Sequence, residues 1–100
     1  MNENNRTALH WAAYFGKDAV ATQLLQANAS VAAVDVNGST PLHRAAFHGH
    51  AVVADLLLQA NADPTAVNKN GSTPARLAEL YGHKDLAARL RKAEQAAAAK

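Results

Sequence analysis

Apolar side chains recur along the chain in short helical stripes that are separated by turn residues. Val20, Leu24 and Leu25 are spaced i, i+4 and i+5, which places them on one face of an α-helix. The same stripe returns 33 residues later, from Val53 to Leu58. An alanine-rich segment precedes each stripe, and a glycine separates the two. The pattern therefore predicts pairs of short helices, which we call helix A and helix B, in an all-α chain.

A 33-residue period extends through the whole sequence. Alignment of residues 2–34 with residues 35–67 gives 17 identities in 33 positions without a gap. The period is kept three times by Asn4, Asn37 and Asn70, by Thr7, Thr40 and Thr73, by Gly16, Gly49 and Gly82, and by Leu24, Leu57 and Leu90. Such a period indicates one small unit that is repeated and stacked. Stacked units leave long open faces, which suit binding a macromolecule better than enclosing a small substrate.

Turn chemistry opens each unit. Asn37-Gly38 and Asn70-Gly71 predict type I′ turns, in which both central residues have positive φ, and Asn4-Asn5 occupies the same place in the first unit. Asp35 and Asp63 flank turns, so we expect their carboxylates to accept hydrogen bonds from backbone N–H groups.

Cap residues predict where the helices begin and end. Thr40 and Thr73 are suited to be N-caps of helix A, and Pro41 and Pro74 then occupy the first helical position, where no N–H is needed. We expect helix A to end near Phe15, Phe47 and Leu80, before the three periodic glycines, and helix B to end at Asn28 and Asn61.

These residues closely resemble the ankyrin repeat, whose unit is a β-turn followed by two antiparallel helices with a T-P-L-H-x-A signature. Thr40-Pro41-Leu42-His43-Arg44-Ala45-Ala46 matches the signature fully, and Thr7-Ala8-Leu9-His10-Trp11-Ala12-Ala13 lacks only the proline. The resemblance implies an all-α ankyrin-repeat solenoid of three units, residues 2–34, 35–67 and 68–100. It also implies a protein–protein interaction module.

The third unit departs from the signature in the way expected of a C-terminal capping repeat. Glu79 replaces Ala46, and Arg89 and Arg91 replace leucines, because nothing stacks beyond a terminal unit. The first unit keeps Val20 and Leu24, so it is only weakly capped. The phasing, Met1 followed by three lengths of 33, favours an array bounded by design over one excised from a longer chain.

Composition narrows the class of protein. Apolar residues make up 49% of the sequence, much of it alanine, and there is no cysteine, so disulfides and thiolate metal sites are excluded. No stretch approaches the length of a membrane span, and the polar N-terminus is unlike a secretory signal. We expect a soluble, intracellular protein, cytoplasmic with the nucleus also open. The formal charge of +2 is concentrated in residues 68–100, which favours a solvated end face over a site for an acidic partner.

All five aromatic residues fall in helix A. In ankyrin-like stacks the end of helix A and the turn tips line the concave face, where exposed aromatics are typical anchors for a protein partner. The resemblance therefore places on this face Arg6, Trp11, Tyr14, Phe15, Val36, Asn37, Ser39, Phe47, His48, Lys69, Asn70, Ser72, Leu80 and Tyr81, together with Glu3 and Asn4. The alternative is that the rings pack between units, and position 11 is closest to the packing side.

The five histidines have a structural explanation in most cases. His10 and His43 lie in the signature, where the imidazole resembles a brace between loop and helix, and His50 and His83 follow glycines in a similar role. His48 alone lacks such an explanation. We expect no metal site and no cofactor, because three or four convergent ligands are not evident. No nucleophile, phosphate loop or paired carboxylates indicate an enzyme.

Three other functions compete with protein binding. Lys84, Arg89, Arg91 and Lys92 could contact nucleic acid, but they belong to the last helix B and not to the helices that carry the rings. The chain could also be a structural or designed scaffold with no specific partner. The third possibility is self-association through the weakly capped first unit.

Overall fold

The fold, taken from a computed structural model that describes residues 7–98, consists of three helix pairs. Glu3, Asn4, Asn5 and Arg6 lie outside the described residues. Within residues 7–98 all regular structure is helical, as the pattern predicts. The helices are α1 (Ala8–Phe15), α2 (Asp18–Gln26), α3 (Pro41–His48), α4 (Ala51–Gln59), α5 (Pro74–Leu80) and α6 (Lys84–Ala98).

The predicted caps begin the A helices. Thr40 is in extended conformation before α3, its Oγ1 accepts a hydrogen bond from the backbone N–H of His43 at 3.3 Å, and His43 Nδ1 accepts from the backbone N–H of Thr40 at 3.1 Å. This reciprocal capping satisfies two N–H groups that a helix start leaves without partners. Thr7 and His10 make the same pair of bonds, and Thr73 accepts from the N–H of Arg76.

The turns after the B helices contain the predicted asparagines. Asn28 has φ 65° and Asn61 has φ 71°, and they are the two non-glycine residues with positive φ in residues 7–98. Helix B therefore gives way to a left-handed residue, as the sequence predicts.

Asn61→Gly should raise the free energy of unfolding by about 0.5–1 kcal/mol, because glycine takes positive φ without the steric cost that any L side chain has. Urea denaturation followed by circular dichroism measures the change. Asn37→Gly is the matched control, since φ of Asn37 is not positive. The same gain at both sites would show that the backbone conformation is not the cause.

The prediction of type I′ turns at the tips is wrong. Gly38 has φ 72°, but Asn37 does not have positive φ. Asp35 organises the turn instead: its carbonyl accepts from Gly38 N at 2.9 Å, and its Oδ1 accepts from the N–H groups of Asn37 at 2.9 Å and Ser39 at 3.0 Å. This is the type I arrangement, with Asp at the first position and Gly at the fourth. The expectation that Asp35 caps backbone N–H groups is confirmed.

The helices stack in register. The A helices lie side by side in the order α1, α3, α5, while α2 packs on α1 and α4, and α6 packs on α5. Between them lies a core of a few large side chains in an alanine matrix. Its members include Leu9, Leu42, Val53, Leu57, Leu90, Ala13, Ala46 and Ala78. Alanine lets the helix backbones approach closely, so the core needs few large side chains.

Four histidines fasten the units to one another. His10 Nε2 donates to the carbonyl of Ser39 at 2.7 Å, and His43 Nε2 donates to that of Ser72 at 2.9 Å. In the opposite direction, His50 Nε2 donates to the carbonyl of Tyr14 and His83 Nε2 to that of Phe47, both at 3.1 Å. A carbonyl oxygen can only accept, so each Nε2 carries the proton. Each junction between units is thus crossed by two imidazole bonds. The brace between loop and helix predicted for His10 and His43 is confirmed. His50 and His83 instead bond carbonyls near the end of helix A in the preceding unit and not a turn of their own unit.

Candidate functional site

A continuous row of rings crosses the three A helices. The Tyr14 and His48 ring centroids are 4.2 Å apart, those of His48 and Phe47 4.7 Å, and those of Phe47 and Tyr81 4.2 Å. At the first unit, Trp11 stacks on Phe15 at 5.8 Å with 12° between their planes, and Tyr14 meets Phe15 edge-on at 4.7 Å. We call these residues the ring row: Trp11, Tyr14, Phe15, Phe47, His48 and Tyr81.

The ring row is exposed at its ends and half-buried in its middle. Phe15 is 56% exposed and Tyr81 52%, while Leu80 beside Tyr81 is 59% exposed. Trp11, Tyr14, Phe47 and His48 are half-buried. The rings thus contact one another across the unit junctions and still present an accessible edge, and contact with a partner stays a prediction.

The turn tips lie beside the ring row. Val36, Asn37, Lys69 and Asn70 are exposed, and the N–H of Lys69 donates to the carbonyl of Asn37 at 3.0 Å, which joins the second tip to the third. Aligned tips of this kind offer amide and ammonium groups along one edge.

Ser39 and Ser72 do not belong to this exposed edge, contrary to the sequence-based expectation. They are 4% and 8% exposed. Each N–H donates to the turn-organising side chain of Asp35 or Asn68, and each carbonyl accepts the imidazole bond from the preceding unit. Their position is set by the junction between units, so we remove both from the candidate contact residues.

Tips and helices together form a shallow depression of about 220 Å³ between the second and third units. Both turn-tip residues and ring residues border it. Its lining residues are Asn37, Ser39, His43, Arg44, Phe47, Asn68, Asn70, Leu77 and Tyr81. The structure thus brings together the predicted Asn37, Phe47, Asn70 and Tyr81. The predicted Trp11, Tyr14 and Phe15 extend the same surface over the first unit.

Arg44 and Leu77 line the depression although sequence reasoning missed them. They stand 33 and 66 residues after Trp11, so the period itself was the signal that could have found them. Arg44 Nη2 is 2.7 Å from Asp35 Oδ2, and the Asp35 side chain is fully buried beneath it. Burial alone would raise the pKa of Asp35, but bonds from Arg44, Ser39 and Asn37 outweigh it and hold that pKa below its ordinary value. The ion pair is therefore fixed in place, and Asp35 neutralises the charge of Arg44.

Within residues 7–98, no group of three or more His, Asp or Glu side chains is placed to hold a metal ion. His43 has a pKa below its ordinary value, chiefly because burial disfavours the imidazolium, with the carbonyl bonds of Ser72 and Ala66 opposing the shift.

Within residues 7–98 no helix is both long and apolar enough to cross a membrane.

Comparison with known proteins agrees with this architecture. The curated proteins compared with the chain include no match. The family model described as "Ankyrin repeats (3 copies)" matches residues 1–68, more than half of the chain. Together with the stacked helix pairs, the reciprocal Thr–His caps and the T-P-L-H segment, this match shows that the chain belongs to the ankyrin repeat family.

Proposed function

We propose that the chain binds a protein partner through the ring row and the exposed turn tips, Val36, Asn37, Lys69 and Asn70. Ankyrin repeats are generally protein–protein interaction modules. The observation that carries the proposal is the continuous contact of six rings across three units with exposed ends at Phe15 and Tyr81. Large amphipathic side chains at the centre of a rigid surface supply most binding energy at interfaces.

Phe15→Ala and Tyr81→Ala should each weaken partner binding by about 1–3 kcal/mol with little loss of stability, because more than half of each side chain is exposed. The measurement is affinity capture from lysate with mass spectrometry, comparing wild type with the double alanine variant. Val52→Ala is the matched control, since Val52 is 55% exposed on α4, away from the A helices.

Specific capture that the double variant loses and the Val52 variant keeps is the expected result. Capture of nothing specific by wild type would favour a scaffold without a natural partner. A sharp fall in the melting temperature of either single variant would place its ring in the core.

In this proposal the units are residues 2–34, 35–67 and 68–100, and the last acts as a C-terminal cap. Two ion pairs at that end support it. Arg89 lies 2.7 Å from Asp55 of the preceding unit, and Arg91 pairs with Glu79. Glu79 is exposed where Ala46 is buried, so a polar end face replaces a stacking face.

Self-association is a second candidate function, favoured by the exposure of an apolar side chain on α2. Val20 is 46% exposed, whereas Val53 and Leu86 at the same register are 0% and 4% exposed. Val53 lies on α4, which packs on α2 of the preceding unit, whereas Leu86 lies on α6, which packs on α5 of its own unit. The first unit has no such preceding unit within residues 7–98. A second copy that meets it face to face would bury the same apolar surface.

Val20→Lys should abolish any concentration-dependent association seen by sedimentation equilibrium, because a lysine in the seam cannot be buried without a partner charge. Val52→Lys, on the exposed side of α4, should leave it unchanged. A wild type that sediments as a monomer over the whole concentration range would exclude this candidate.

A further inference from the structure

We propose that Asn70 is a site of spontaneous covalent modification, at which the side-chain amide is lost and aspartate or isoaspartate forms. Asn37 occupies the same register one unit earlier and is protected by the stack. The chain contains two Asn-Gly pairs, Asn37-Gly38 and Asn70-Gly71, so each site serves as the internal control of the other. The inference goes beyond partner binding and does not depend on it.

The reaction needs only the chain and water. The backbone nitrogen of Gly71 forms a bond to Cγ of Asn70, the Cγ–Nδ2 bond breaks, and ammonia leaves with the proton that the backbone nitrogen gives up. The resulting succinimide takes up one water, and opening at one or the other carbonyl carbon gives aspartate or isoaspartate. Nothing is oxidised or reduced. A following glycine favours the attack, because no Cβ crowds the nitrogen and the backbone is free to turn.

The second and third turn tips hold the attacking nitrogen in the same way. Gly38 N donates to the carbonyl of Asp35 at 2.9 Å, and Gly71 N donates to that of Asn68 at the same distance. The Oδ1 atom of the same two acceptor residues also accepts from the N–H two residues later, at 2.9 Å in both tips. Attack requires the glycine N–H to leave its bond, so the rate follows the free energy of opening each tip.

The two tips differ in what covers them. The N–H of Lys69 donates to the carbonyl of Asn37 at 3.0 Å, and a Cβ at Gly38 would lie 3.2 Å from the same nitrogen. In the described part of the chain, a Cβ at Gly71 would meet nothing within 4 Å, and Gly71 is exposed where Gly38 is half-buried. Movement of the second tip therefore breaks contacts with the third, whereas Gly71 has open space to move into.

Arg44 adds a second restraint to the second tip. Its Nε and Nη2 atoms lie 3.2 Å and 2.7 Å from Oδ2 of Asp35, the residue that organises this turn. In the third unit the same columns hold Leu77 and Asn68, and a leucine side chain has no donor with which to fix the turn. Opening the second tip therefore disturbs a buried ion pair, which the third tip does not have.

The product changes the exposed edge of the turn tips. A carboxylate replaces the amide of Asn70 directly after Lys69. Isoaspartate also lengthens the backbone by one methylene, so the N–H of Gly71 no longer reaches the carbonyl of Asn68 in the same geometry.

The test follows both sites in the whole chain during incubation at neutral pH, with and without a denaturing concentration of guanidinium chloride. Trypsin separates the two sites by cleaving after Arg44, and mass spectrometry measures the converted fraction of each peptide over time. The rate in denaturant divided by the rate in the folded chain is the protection factor of each asparagine. This ratio cancels the intrinsic effect of the different preceding residues, Val36 and Lys69.

We expect the protection factor of Asn37 to exceed that of Asn70 at least about five-fold, since an additional backbone bond and bonds to a charged group hold the second tip. Equal protection of the two sites, or greater protection of Asn70, would overturn the inference.

Lys69→Pro tests the contact between the tips. Proline has no N–H, and it suits the second position of a type I turn, where Lys69 stands, so the bond to Asn37 is removed while the third turn is kept. Lys69→Ala is the matched control, because it retains the N–H. The protection factor of Asn37 should be at least about two-fold lower in Lys69→Pro than in Lys69→Ala.

Equal protection of Asn37 in these two variants would refute the contact between the tips as the cause. Circular dichroism compares the folds of the variants. The wild-type comparison needs no substitution, so it decides the inference even if proline disturbs the turn.

Discussion

Gly49→Ala should lower the free energy of unfolding by about 3 kcal/mol, roughly twice the loss expected for Gly82→Ala. Both glycines follow or end an A helix with positive φ, 72° and 82°, which costs an L-residue about 1–2 kcal/mol. They differ in what surrounds them. A Cβ at Gly49 would lie 2.6 Å from the imidazole of His83, whereas a Cβ at Gly82 would have nothing within 4 Å.

The extra loss at Gly49 comes from the junction between units. His83 occupies that space because its Nε2 donates to the carbonyl of Phe47 at 3.1 Å. Alanine would displace the ring and forfeit the bond, which is worth about 0.5–1.5 kcal/mol. The pair of variants therefore separates the cost of the backbone conformation from the cost of disturbing the stack.

Urea denaturation at neutral pH, followed by circular dichroism, measures both losses. The control is the double variant Gly49→Ala/His83→Ala, in which the clash is absent. Its loss of unfolding free energy should be smaller than the sum of the losses measured for the two single variants. Equal losses for Gly49→Ala and Gly82→Ala would contradict the expected role of His83.

Acid should weaken the stack, starting as the pH falls below about 6.5. The pKa of His43 in the folded chain is lowered, first because burial penalises the imidazolium and further because Arg44 is near, while Asp35 and the Ser72 carbonyl oppose the shift. The unfolded chain has the ordinary histidine pKa, so between the two values it binds more protons than the folded chain does. The contribution of His43 to the free energy of unfolding is therefore fully present above pH 6.5. It is lost as the pH falls toward the folded pKa, at no more than about 1.4 kcal/mol per pH unit.

The bonds of His43 explain why its neutral form is required. Nε2 donates to the Ser72 carbonyl, and Nδ1 accepts from the N–H of Thr40. A second proton on Nδ1 would point at that N–H, so charging the ring breaks the cap of α3. The junction with the third unit loosens with it.

Urea midpoints at pH 7.5, 6.5 and 5.5 test this for wild type and His43→Gln. The variant should be less stable at pH 7.5, because its amide replaces neither bond well, and its stability should change less between pH 6.5 and 5.5. A wild-type midpoint that stays constant down to pH 5.5, or a variant with the same slope as wild type, would refute the assignment.

Local chemistry explains why most of the fold could be predicted. Thr40, Pro41 and the glycine after α3 act on backbone groups within a few residues, so their effect can be predicted from the sequence. The tip turns show the limit of such reasoning. Asn-Gly predicts a type I′ turn in isolation, yet Asp35 accepts two N–H bonds and imposes a different turn.

The candidate site was less predictable, because contacts between units decide it. Exposed tips such as Asn37 and Asn70 follow from turn position, but Ser39 and Ser72 are buried by histidines 29 residues earlier. The period places Arg44 in the column of Trp11, but nothing in the sequence indicates that a buried carboxylate lies beneath it.

The sequence by itself determined the repeat, the helix pairs, their caps and the family, since a period and its turn residues are properties of neighbours along the chain. The tertiary structure alone decided that the rings form one connected row, that Arg44 is neutralised by Asp35, and that four imidazoles cross the unit junctions. The ring contacts and the imidazole bonds join residues 29 to 36 positions apart, so the packing of one unit on the next sets their distances. Arg44 and Asp35 are nine positions apart in one unit, and the fold of the turn before α3 brings their side chains together.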